Sequence, residues 1–447
     1  MRSPAGYSRD LAGWYADDSA GDGMGYLSRK NRKSIVAAVW VIAAGVAIWA
    51  WWQRQSVKAA KAARTAEATD TPTASQPGGR VIDSEVARTG AKLLTSEALT
   101  ARVAMRSRAL ATGDIPDELR ASAARGARHF HRIRKPEEGL GPGYNGTSCA
   151  ECHALPATPG RGPPGRFAQV YSAGVRQPFA ATPRAGARFG QAYWLPGHAA
   201  KPFPAGFRFI GKRRPPDLRG LGWVEGVPAA QILHVGTCAT PNPPQNKVCG
   251  WAPAKERGAG TLRFGAKMVT ATLEEFITGA LFFEHGQTSR APLMDHDDDD
   301  APDPEVSEQE VVDLANYVAL TKAPGLPVES GPGLITFKAV GCADCHFSQF
   351  TVAGRATPQM WSDLLAHDMG PALAESDYDE LTPGPHRRTL PLWGLRHHDG
   401  PFLTDGSAPT LDVAIRKHAG EASSSRARYV ALEEGPRRAL WAWLKRL

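Results

Sequence analysis

The sequence predicts a mostly α-helical protein with long ordered loops, one core in each half, and a single N-terminal helix able to cross a bilayer. Three observations predict this. Apolar stripes at helical spacing recur from about residue 86 to the C-terminus, whereas sustained two-residue alternation is rare. Pro and Gly crowd residues 154–262, which reads as loop. One uncharged apolar run stands near the N-terminus, from Ile35 to Trp52.

That run sits behind Arg29, Lys30, Arg32 and Lys33, so residues 1–34 are expected as a cytoplasmic tail and residues 35–52 as the anchor. Arg54, Lys58, Lys61 and Arg64 follow and weaken the asymmetry, and a cleaved signal peptide is the alternative. Residues 53–85, with "TDTPTASQPGG", read as linker. Helical patterns fill 86–130 with a break at "TGDIPDE". "AAQIL" and "TLEEFITGALF" read as short helices, the second with Leu273, Phe276, Ile277 and Leu281 on one face. "SEQEVVDLANYVALT" is the clearest helix: Ser307 can cap it, Glu310 stands at the third position, and Val311, Leu314, Ala315 and Val318 form its stripe. It reads as the closing helix of a first domain over 86–322. A second domain, 323–447, ends in "LDVAIRKHA" and "GPRRALWAWLKRL".

Lys and Arg number 53 against 45 Asp and Glu, a formal charge of +8, which suits an acidic donor protein or an anionic membrane surface. No nucleic-acid-binding motif is present. Six cysteines exclude a disulfide-dense scaffold. Cys238 and Cys249 bracket "CATPNPPQNKVC" and read as a disulfide, with separate thiols as the alternative. "MDHDDDDAPDPE" reads as a solvated acidic loop; its 295–300 run leaves calcium binding as the alternative, without EF-hand spacing.

Four cysteines fall in a repeated unit. "TSCAECH" and "GCADCH" each contain C-x-x-C-H. Two thiols at this spacing can add to the two vinyl groups of one porphyrin, and the adjacent histidine can reach its iron. A redox dithiol or half a zinc site needs neither the histidine nor the repetition. Two covalent c-type haems are therefore expected, through Cys149, Cys152 and His153, and through Cys342, Cys345 and His346. Each domain then reads as cytochrome c-like. A sixth ligand must come from elsewhere: His418 is the first candidate at the C-terminal haem and Met369 its rival. An aromatic side chain between the haems would assist electron transfer; Trp393 in "LPLWGL" ranks before Trp223 and Trp251.

"GLGPGYNGTSCAECH", "PPDLRGLGWVEGVPAAQIL", "LRFGAKMVTATLEEFITGALFFEHGQTS", "DLLAHDMG" and "RTLPLWGLRHHDGPFLTDGSAPTLDVAIRKHAGEA" occur in this order. Together they resemble the di-haem oxidoreductases, a family described as peroxidases and as thiol oxidoreductases and distantly similar to bacterial di-haem cytochrome c peroxidases. The resemblance covers roughly residues 120–447. It implies electron entry at one haem and peroxide activation at the other, with Glu284 as the catalytic carboxylate beside the N-terminal haem. His285 would share that pocket or cap the iron, and His198 and His234 are weaker resting-state ligands. Thr404 departs from the family, where a histidine is frequent in "FLHDG". Peroxide and a small electron donor, a cytochrome, a cupredoxin or a membrane quinol pathway, are the implied partners. The implied location is the bacterial inner membrane, with the haem domains in the periplasm. A pure electron-transfer protein, and an oxidase acting on thiols, sulfur compounds or a protein side chain, are the alternatives.

Overall fold

The computed structural model describes residues 96–172, 188–198, 208–236, 248–253, 261–289, 301–325, 330–375, 382 and 384–447. The expected tail, anchor and linker, Cys238 and the acidic 295–300 run lie outside the described residues. Among the described residues no helix is long and apolar enough to cross a membrane.

Helices α1 (Ser96–Thr112) and α2 (Asp117–His131) flank the expected break. The first motif forms the short helix α3 (Cys149–Cys152), started by Ser148, whose Oγ accepts the Glu151 N–H at 3.2 Å. Then come α4 (Leu221–Gly226), α5 (Ala229–His234) and α6 (Leu273–Ala280). Thr272 and Glu275 cap α6 reciprocally, at 3.3 and 3.1 Å. A π turn, Leu281–His285, continues it. In α7 (Glu308–Leu320), Ser307 caps as expected, and Val311, Leu314, Ala315 and Val318 are all buried. The second half holds α8 (Pro332–Ala339), α9 (Leu411–Lys417), α10 (Ser423–Val430) and α11 (Glu434–Leu444).

The loops expected over 154–262 prove to be partly strand. β2 (Ala168–Ser172) lies between β3 (Arg188–Gly190) and β5 (Arg208–Arg213), antiparallel to both. β1 (Gly143–Tyr144) pairs with β4 (Tyr193–Trp194). β6 (Thr351–Val352) pairs with β7 (Arg355–Ala356), and β8 (Ala366–Asp368) with β9 (His386–Arg388). These strands are short and one register is bulged, so their two-residue alternation is too brief to stand out. The fold is thus helical with several small antiparallel sheets.

The two halves repeat one construction. The helix before each motif packs on the closing helix of its half, α2 on α7 and α8 on α11. A glycine sits at each crossing. A Cβ on Gly126 would fall 1.9 Å from Asp313 O, and one on Gly333 would fall 2.2 Å from Trp443 Cβ. Four residues further along each helix stands a buried phenylalanine. Phe130 and Phe337 face the motif histidines His153 and His346 at the same centroid distance, 6.3 Å, tilted by 52° and 56°. Phe337 also packs against Trp361 and Trp443, at 5.7 and 4.8 Å. Gly333→Leu should force these helices apart and lower stability by about 1–3 kcal/mol; a thermal melt of the holoprotein reads this as a lower Tm.

The larger core gathers Phe130, Trp223, Val224, Phe264, Leu314 and Val318, and also takes Phe350, Met360, Leu364 and Trp393 from beyond residue 323. The smaller core centres on Phe337, Trp361, Tyr429, Leu440 and Trp443.

Candidate haem site

A cavity of about 1240 Å³ opens among these elements, and both motifs line it: Cys149, Cys152 and His153 from one, Cys342, Cys345 and His346 from the other. Glu284, His285, Met369, Trp393, Thr404 and His418 line it too. It is larger than an ordinary small-ligand pocket and mainly apolar. All four motif thiols are free. Burial raises the pKa of each, that of Cys342 to about 12, so they are neutral thiols.

The motif histidines are each fixed through Nδ1 by backbone carbonyls. His153 donates Nδ1–H to Gly160 O and Pro216 O, at 3.1 and 3.0 Å. His346 donates Nδ1–H to Trp361 O at 2.8 Å. Each bond fixes the tautomer that leaves the Nε2 lone pair available, and neither Nε2 has a hydrogen-bond partner among the described residues. Burial lowers both pKa values, that of His346 to about 4, and keeps the rings neutral.

His418 shows the same state. At the C-terminal end of α9, it donates Nδ1–H to Ala414 O at 2.7 Å, and its Nε2 is likewise unpartnered. Burial lowers its pKa, and it lies close enough to His346 to depress that residue's pKa further. Met369, the rival, lines the same cavity just past β8. His198 and His234 are exposed and line no part of it. Trp393 is buried and links the larger core to the cavity wall; Trp223 is buried away from the cavity, and Trp251 bridges to Ala366 through its backbone.

The segment before the first motif clasps the π turn. Gly141 N–H reaches His285 O at 2.9 Å, Asn145 N–H reaches Glu284 O at 2.8 Å, and His285 Nδ1–H reaches Gly146 O at 2.8 Å. Gly286 ends the turn at φ 69°, where a Cβ would fall 2.6 Å from Gly141 O. The clasp places Glu284 against the first motif. Its Oε2 accepts Asn145 Nδ2–H at 2.8 Å, and Asn145 Oδ1 is fixed by Ala192 N–H at 2.9 Å. Burial raises the Glu284 pKa, against the smaller pulls of Asn145 and Arg166. Its charge in turn raises the pKa of Cys152. His285 Nε2 lies 3.9 Å from Cys149 Sγ of the first motif. Phe283 lines the cavity while Phe282, stacked edge-on at 5.4 Å, does not. A π turn at such a place is a common mark of a functional site.

The sequence reading missed Asn145 and a network at the second motif. His367 lies 3.7 Å from Cys345 Sγ and bonds Asp363 at 2.7 Å and Glu421 at 3.0 Å. Burial opposes its charge, but those hydrogen bonds outweigh it and hold the His367 pKa well above the histidine value. Glu421 also accepts the Cys249 and Asp368 N–H groups. Cys249 is disulfide-bonded. Cys345, Asp363 and His367 converge closely enough to hold a metal ion, but Cys345 belongs to the motif and His367 is committed to its carboxylates.

Residues 254–447 match the model of a family described as "Di-haem oxidoreductase, putative peroxidase". The match spans less than half of the chain, and over that span the chain is similar to this family. The matched span holds Glu284, the second motif, Trp393 and His418; the first motif precedes it. No curated protein matches the chain. Among solved structures, hydrazine synthase of Kuenenia stuttgartiensis, pressurised with xenon, is similar at 14% identity. That match covers 85% of this chain and 97% of that chain, with a TM-score of 0.38, a level from which nothing further is drawn. Haem is the cofactor of a di-haem oxidoreductase, and the residues present fit it: free thiol pairs, neutral imidazoles with unpartnered Nε2, and one large apolar cavity.

Proposed function

We propose that this protein is a c-type di-haem enzyme that reduces peroxide, or uses it to oxidise a second substrate, at the N-terminal haem. Cys149 and Cys152 would carry that haem with His153 as ligand. Cys342 and Cys345 would carry the second, between His346 and His418. Bound haem would supply the redox iron; the protein supplies ligation, access and proton handling. The observation that carries the reading is the clasped Glu284, a half-buried carboxyl with a raised pKa on the cavity wall beside the first motif.

Reducing one peroxide to two waters takes two electrons and two protons. Glu284 can take the proton from one peroxide oxygen and return it to the oxygen that leaves as water. Asn145 holds the carboxyl in place, and Phe283 adds apolar surface to the same cavity wall. His418 would complete a bis-imidazole site at the second haem, which would suit electron entry rather than substrate binding. Trp393 is the proposed aromatic link between the two. A small cytochrome, a cupredoxin or a membrane quinol pathway would supply the electrons. A location outside the cytoplasm, with Ile35–Trp52 as anchor or as signal, agrees with the disulfide-bonded Cys249.

The test is rapid mixing of the holoprotein with peroxide from the oxidised and half-reduced states. A spectral change that consumes peroxide supports the reading. No reaction in any redox state would leave the pair of haems as an electron relay, and a reaction only with dioxygen or a thiol would make the protein an oxidase.

A further inference from the structure

The cavity wall is rich in arginine, and most of these side chains have evident partners. Arg166 pairs with Glu151, and Arg213 and Arg387 share Glu375. Arg161 and Arg214 reach the carbonyls of His397 and Pro401. Arg388, like both of these, is half-buried. It ends β9 opposite Ala366 of β8, and it lines the cavity. Its one hydrogen bond to a described residue runs from Nη1 to Arg263 O at 2.8 Å. Its Nε is buried with no partner, and it forms no ion pair with a described carboxylate.

The neighbouring basic groups are spent on backbone carbonyls. Arg263 spends its guanidinium on the carbonyls of Val224, Glu225 and Val227. Lys267 is buried nearby on Gly384 O and His386 O. Burial presses the Arg388 pKa down to about 10, so the group stays charged at neutral pH. A partly buried charge with a buried, unpartnered Nε and no counter-ion among the described residues is costly. A fold that keeps one on a cavity wall is built to meet an anion from outside the chain. A porphyrin seated on either motif would bring carboxylates into this cavity, and a guanidinium fork matches a carboxylate with two parallel hydrogen bonds.

We propose that Arg388 holds a carboxylate of a porphyrin seated in the cavity. The assignment rests on the di-haem reading. It makes Arg388 a positioning residue, which fixes the tilt of one macrocycle and raises the potential of its iron.

The test compares wild type, Arg388→Gln and Arg388→Lys as holoproteins. Haem content is measured first, then redox titration, then infrared difference spectra between oxidised and reduced protein, with an isotope label confined to the porphyrin carboxylates. Arg388→Gln should keep both haems, shift the label-sensitive carboxylate band and lower one of the two midpoint potentials, because a nearby positive charge favours the reduced iron. Arg388→Lys keeps the charge but not the fork, so it should shift the band and leave the potential closer to wild type. If Arg388→Gln does not accumulate, the band in Arg388→Lys decides the matter. Two attached haems with unchanged band and potentials would overturn the proposal alone. So would a change insensitive to the porphyrin label that appears only with added acetate, which would mark a free-carboxylate site. A wild-type chain without porphyrin would overturn this proposal and the di-haem reading together.

Discussion

Glu284→Gln is expected to slow reaction with peroxide by roughly 10²–10⁴-fold, the range for loss of a positioned acid–base group. Both haems and the reduced spectrum should stay close to wild type. The substitution keeps the side chain's shape, and Asn145 N–H and Gly286 still hold the turn through the backbone. What it removes is a carboxyl whose pKa burial has raised, on the cavity wall beside the first motif. Rapid mixing with peroxide, starting from the redox state in which wild type reacts, measures the effect. An unchanged rate would remove Glu284 from the chemistry. A loss of haem instead would mean that the residue serves attachment or folding.

Arg106→Ala is expected to cost about 3–5 kcal/mol of stability, the range for breaking a buried ion pair from one side. Arg106 on α1 is 0% exposed. Its guanidinium binds Glu225 at 2.8 Å, Glu274 at 2.8 and 3.0 Å, and Asn316 at 3.1 Å. Glu225 in turn caps α6 by accepting the Leu273 N–H at 2.8 Å. The variant would leave buried Glu225 without its cation and Glu274 with Arg102 alone, 3.1 Å away, at the start of the helix that carries the Glu284 turn. Denaturant unfolding of the holoprotein reads the loss. Adding Glu225→Gln and Glu274→Gln should recover much of it, since the larger part of the cost is the stranded charge rather than the lost contact.

The parts of this site that the sequence displays are the ones whose spacing is local. C-x-x-C-H is a five-residue unit, and Ser307 with Glu310 is a cap within one turn. His418 and Glu284, which the structure places on the cavity wall, stand out in the sequence through the ordered family segments around them. The parts that stayed hidden depend on chain crossings. Asn145 holds Glu284 across a long sequence separation, and His367 meets Cys345 only because β8 is brought beside the second motif. Arg388 reads as one more basic residue until its missing carboxylate can be seen. The paired glycine and phenylalanine of α2 and α8 have the same spacing in both halves. The segment from phenylalanine to motif is far longer in the first half than in the second, which hides the repeat from a reader of the sequence. The small antiparallel sheets were missed for another reason: strands of two to six residues give too little alternation to read.

The ligand state of the two irons tests the account most directly, by low-temperature electron paramagnetic resonance of the oxidised and half-reduced holoprotein with and without azide. The account predicts one low-spin bis-histidine iron that ignores azide and whose signal is lost in His418→Ala. It predicts a second iron, beside Glu284, that binds azide in at least one of these redox states. If Met369→Ala rather than His418→Ala removes the low-spin signal, the ligand assignment is wrong; if both irons are saturated and indifferent to azide in every state, there is no open haem for Glu284 to serve.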